Sequence, residues 1–111
     1  MVKRLTLNDM KSVEQHRAEM EKMTEEEVQG LGHPSKKVMR LEWRLSEIAG
    51  EWRETKTNAL VLEYERVLYK MILNGYDVDT LPIQDQLPDA LMPELPPKPI
   101  QMAIQTAYLA E

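Results

Sequence analysis

The 111-residue chain has no cysteine and no phenylalanine, only two histidines and four glycines, and no long uninterrupted apolar run. Each absence excludes something. Without cysteine there is no disulfide framework, no thiolate nucleophile and no Cys-type zinc site. With His16 and His33 alone, the Glu-x-x-His spacing that sets two di-iron ligands on one helix face cannot be built, since position 13 is Val13 and position 30 is Gly30. No HExxH, P-loop, GxSxG or EF-hand loop occurs. The expectation is a chain with no catalytic residue, no metal and no cofactor. Nothing approaches 18 consecutive apolar residues, so no membrane contact is expected. The opening "MVKRLTLNDMKS" lacks the apolar core of a secretory signal, which makes the cytoplasm the expected location.

What is present is ordinary globular material, 42% hydrophobic and 30% charged, enough to fold as one small domain. The net charge of −5 is unevenly spread. Residues 33–74 carry 8 basic and 6 acidic side chains, whereas residues 75–111 carry 1 and 6, so the excess negative charge sits at the end of the chain. Six of the seven prolines fall there too, in "LPIQDQLPDALMPELPPKP" at 81–99.

Helix signals fill the rest. A first helix is expected from about Thr6 to Gly30, with Thr6 or Asn8 as N-cap and Met10, Val13, Met20 and Met23 on its apolar side. Thr24 followed three residues later by Glu27 fits a capping box and predicts a restart or kink. "GLGHPS" at 30–35 predicts a reversal, with Gly30 or Gly32 left-handed and Ser35 capping the next helix. From there Val38, Leu41, Leu45, Ile48 and Trp52 step by 3 and 4, a seam of the coiled-coil or helical-hairpin kind. Between 59 and 73 apolar residues cover most of the helix circumference, leaving Glu63, Arg66 and Lys70 as a polar stripe. Gly75 suits a C-terminal cap, with Tyr76 folding back on Met71.

Whether 36–74 is one helix decides the shape. Unbroken, it would be about 58 Å long; a break at "TKTN", 55–58, would divide it, with Thr57 or Asn58 capping the second half. The reading is an all-α domain, an elongated helical hairpin or else a three-helix bundle. Residues 1–80 form its helical body, 81–99 an extended proline-rich strap, and 100–111 a short amphipathic helix in the same domain. Its core is expected at Leu45, Ile48, Trp52, Leu60, Leu62, Leu68 and Ile72. The face of the last helix, Ile100, Ala103, Ile104, Ala107 and Tyr108, needs something to lie on.

Three features point to partners. Lys36, Lys37, Arg40 and Arg44 gather positive charge at a helix N-terminus, against the macrodipole. They either pair within the chain, with the acids at 25–27, Glu47, Glu51 or the acidic tail, or meet an anionic partner. Trp43 lies off the apolar seam and needs a cover, either a partner for which it is an anchor or a proline of the strap. Pro93, Pro96 and Lys98 in "PELPPK" match a PxxPx[K/R] ligand pattern, against a bland reading in which the leucines between the prolines lie on the chain's own core. The functional expectation is a non-catalytic helical interaction protein, an accessory subunit, adaptor or inhibitor, with a protein partner and self-association. The alternative is a nucleic-acid or nucleotide-binding module using the 36–44 cluster.

Overall fold

The computed structural model describes residues 7–110, with side-chain environments from Glu14 onward. The expected cap Thr6 and the side chains of Asn8, Met10 and Val13 lie outside the described residues. Every regular element described is helical: α1 (Leu7–Glu21), α2 (Glu25–Gly30), α3 (Lys36–Thr55), α4 (Asn58–Leu73) and α5 (Lys98–Leu109). Short 3-10 turns at Val78–Thr80, Ile83–Asp85 and Asp89–Leu91 punctuate the proline-rich stretch. No described helix is long and apolar enough to cross a membrane.

Local chemistry sets the boundaries. Thr24 and Glu27 form the expected capping box: the Thr24 hydroxyl accepts from the Glu27 N–H at 3.2 Å, and the Glu27 carboxylate accepts from the Thr24 N–H at 3.2 Å. α2 closes in a Schellman motif. His33 N–H donates to the Val28 carbonyl, Gly32 N–H donates to that of Gln29, and Gly32 takes φ +99°, a region open to glycine because it has no Cβ. Ser35 then caps α3, its hydroxyl accepting from Val38 N–H at 3.1 Å. The same C-terminal motif ends α4, with Gly75 at φ +98° and Tyr76 N–H bonded to the Met71 carbonyl at 3.0 Å.

The long helix is broken, and the largest dimension of the molecule is 45 Å. Lys56 adopts the left-handed conformation (φ 51°, ψ 38°), and its N–H still reaches the Trp52 carbonyl at 2.8 Å. That conformation costs a non-glycine residue about 1–2 kcal/mol. The Lys56 ammonium, 4.5 Å above the Trp52 ring, offsets part of it through a cation–π contact of about 0.5–1 kcal/mol. After this two-residue connection the chain turns back and α4 packs on α3.

The main core joins Val38, Leu45, Ile48 and Ala49 of α3 to Tyr64, Val67, Leu68, Met71 and Ile72 of α4, and then takes Tyr76, Leu81 and Leu87 from the following segment. Each fully buried valine, leucine, isoleucine or methionine among them contributes about 1.5–3 kcal/mol. A second cluster, Met20, Val28 and Met39 with Met23 and Trp43 at its edge, holds α1 and α2 against the first half of α3. Of the expected core, Leu45, Ile48, Leu68 and Ile72 are buried, and Trp52 and Leu60 pack at its margin. Leu62 instead faces solvent, 55% exposed. Its neighbour Glu63 is turned to Arg44 of α3, and one residue further round a helix is 100° away.

Candidate interaction surface

Residues 76–97 run from the α4 cap to α5 in an extended path broken by single 3-10 turns, as closely spaced prolines require. Leu81 and Leu87 are buried in the main core, Met92 and Leu95 pack against it, and Leu91 points outward. Two tyrosines of α4 clasp the backbone: Tyr64 hydroxyl donates to the Asp85 carbonyl at 2.6 Å and Tyr69 hydroxyl to that of Glu94 at 2.8 Å. Burial pushes the Tyr64 phenol up to about 12, with the Asp85 charge adding to the shift. Pro93 and Pro96 are half-buried along this path, and Lys98 begins the last helix.

α5 starts where proline stops it from starting earlier. Pro97 is its N-cap and Pro99 sits in its first turn, where the missing N–H has no helical partner to lose. Polar contacts tie it to the body. Gln101, 6% exposed, donates from Nε2 to the Pro96 carbonyl at 2.7 Å, and Gln105 donates to the Tyr76 carbonyl at 3.4 Å. Lys98 bridges Asp77 at 2.5 Å and Asp79 at 2.8 Å. The Lys98 hydrogen bond holds the Asp77 carboxyl below its usual range, helped by the Asp79 N–H.

The apolar face was expected to need something to lie on, and within the chain much of it stays open. Ile100 is 50% exposed, Ile104 40% and Tyr108 42%, with Ala103 and Ala107 between them also exposed, while Met102 at 63% and Leu109 at 59% are open on another side of the helix. The two glutamines recur at i and i+4 and so share one side of the helix. This side faces the body and supplies donors to the Pro96 and Tyr76 carbonyls. The sequence signal was available: a helix whose only charged residue is Lys98, with glutamines at 101 and 105 together on one side.

The basic group is drawn inward, toward acids of the same chain. Arg40 makes a two-pronged contact with Glu21, 2.8 Å from Nε and 2.6 Å from its terminal nitrogen. That hydrogen bonding lowers the Glu21 pKa and raises that of Arg40. Lys36 Nζ donates to the Glu21 carbonyl at 2.6 Å, capping the end of α1, while its N–H meets the Glu25 carboxylate at 3.1 Å. Arg44 reaches across to Glu63 of α4 with two bonds of 2.8 Å and also contacts Glu47 at 3.3 Å, and its pKa is raised chiefly by Glu63. Lys37 is exposed. Lys36, Arg40 and Arg44 therefore act as ties between α1, α3 and α4.

Trp43 is half-buried at the edge of the second cluster, and the Arg17 guanidinium of α1 lies 5.3 Å from its ring centre. Its cover comes from α1 and α2. His33 meets Glu42 at 2.6 Å across the reversal. Among the described residues no three His, Asp or Glu side chains converge as a metal site.

Comparison with family models, curated proteins and solved structures finds no match. The outward face of α5 is thus read on its own chemistry. It is a row of apolar side chains, from Ile100 to Tyr108, along about 12 Å of helix.

Proposed function

We propose that the protein is a non-catalytic helical interaction protein, an accessory subunit, adaptor or inhibitor, that works through the outward face of α5. The observation that carries this reading is the inverted docking of that helix. An amphipathic helix normally places its apolar side on the core; here glutamines hold it to the body, and Ile100, Ile104 and Tyr108 are left to a partner. Large apolar residues concentrated on one exposed element, here joined by Met102 and Leu109, mark interaction sites more often than scattered ones do.

In this reading the α3–α4 pair is a helical hairpin and residues 81–99 are a strap that closes it and fixes where α5 starts. The buried Leu81 and Leu87 and the two tyrosine clasps support the strap over a displayed proline-rich ligand. Pro93, Pro96 and Lys98 then serve to position α5, and the "PELPPK" match has that structural explanation. The in-chain pairing of Lys36, Arg40 and Arg44 favours protein over nucleic acid as the partner.

The test is recovery of the tagged full chain from its native source, with the intact mass of the complex measured for wild type and for Ile104→Glu. Loss of associated mass in the variant, with its circular dichroism and melting temperature unchanged, supports the reading. A complex of unchanged mass and stability refutes it.

A further inference from the structure

The outward face of α5 matches itself. Along the helix it reads Ile100, Ala103, Ile104, Ala107, alternating large and small side chains, with Tyr108 at its edge. The midpoint of this pattern lies between residues 103 and 104. An antiparallel copy aligned there sets Ile100 opposite Ala107 at both ends, and at the two-fold axis Ala103 and Ile104 each lie beside their own counterpart, one on either side of the seam. A two-fold interface requires this kind of self-complementarity, because one patch must serve both sides. Alanines in the row also let two helix backbones approach closely.

Charge points the same way. From Pro99 to Ala110 there is no charged residue, and Lys98 is occupied by Asp77 and Asp79. Two chains of net charge −5 can therefore meet here without like charges at the contact. A partner recognised through ion pairs would find none to make on this face, and an anionic lipid surface would find no basic fringe.

We infer that α5 pairs antiparallel with α5 of a second copy of this chain, making the protein a weak two-fold dimer. This rests on the reading of α5 as the interaction face and names its occupant. The open parts of the five side chains amount to on the order of 400–500 Å² per copy, hence roughly 800–1,000 Å² in the pair, below the standard size of a specific interface and in the range of weak, transient contacts. The dimer then dissociates in the micromolar range rather than the nanomolar.

The experiment uses the purified full chain. Sedimentation equilibrium from about 1 to 300 µM should show a reversible monomer–dimer transition, and Ile104→Glu, which places like charges beside the two-fold axis, should weaken it about a hundredfold. Because the natural chain has no cysteine, register can be read directly by mild oxidation. Ala103→Cys lies beside the axis and should cross-link to itself, whereas Ala107→Cys is displaced from its own copy by about seven residues, roughly 10 Å along the helices, and should not. Both cysteine variants are small changes at exposed positions, so they keep the test decisive even where Ile104→Glu alters folding. A chain that stays monomeric to 300 µM overturns the inference, as does a dimer in which both cysteine variants cross-link or neither does. A monomeric pure chain whose native complex still loses mass on Ile104→Glu would overturn the dimer while leaving the interaction face standing.

Discussion

Leu87→Ala tests whether residues 81–99 belong to the core. Leu87 is 3% exposed and packs in the same cluster as Leu68 and Ile72. Truncation removes three carbon atoms, which at about 0.8 kcal/mol each is about 2.4 kcal/mol of transfer free energy. A residual cavity adds to this, limited because an extended segment between two prolines can settle inward, so about 3 kcal/mol is expected in total. For a 111-residue chain the unfolding entropy is roughly 0.23 kcal/mol/K, which converts that loss to a fall in melting temperature of about 13 °C. Leu91, four residues on and 36% exposed, is the internal control: Leu91→Ala should cost about 1.5 kcal/mol, half the Leu87 figure. Urea and thermal unfolding measure both. If the two variants melt within about 2 °C of each other, the leucines of this segment are not anchored in the core and the strap reading fails.

Alkali should destabilise the protein through Tyr64. Its phenol is raised to about 12 in the folded state and titrates near 10 when unfolded, so stability is intact below pH 10 and falls as pH rises toward 12. Tyr64→Phe should cost about 1 kcal/mol at neutral pH by leaving the Asp85 carbonyl without its donor, and should flatten the alkaline fall in urea midpoint. Tyr76, also raised by burial, supplies the remainder, and an unchanged alkaline profile in Tyr64→Phe would contradict the assignment. Two glycines give opposite signs. At Gly75 a Cβ would meet only Pro34 at 3.9 Å but would sit at φ +98°, so Gly75→Ala should lower stability by about 1 kcal/mol. At Gly50, inside α3 with open space around it, Gly50→Ala should raise stability by a similar amount in the same melt.

Signals that act within a few residues were legible in the chain itself. The Thr24–Glu27 box, the Ser35 cap and the two glycine-ended motifs at Gly32 and Gly75 need only local donors, acceptors and a missing Cβ, and each stands where its residues predict. The apolar seam from Val38 to Trp52 was equally readable, because helical period and burial are linked by geometry alone.

Two matters were decided only when distant segments met. The break at Lys56 follows from competition between helix continuation, which local propensity leaves nearly balanced, and the burial gained when α4 turns back on α3. The side on which α5 docks involves the Tyr76 carbonyl, which Gln105 meets from 29 residues away, and hydrophobic pattern carries no information about where such an acceptor will lie. Arg44 shows the same division. Its charge was plain in the sequence, but Glu63, 19 residues on, became its partner only through the packing of two helices. By itself, then, the sequence determined the helices and most of their ends, through forces that act over a turn or two. Tertiary structure decided which faces those helices present, because that choice depends on hydrogen-bond acceptors and apolar surface brought from elsewhere in the chain.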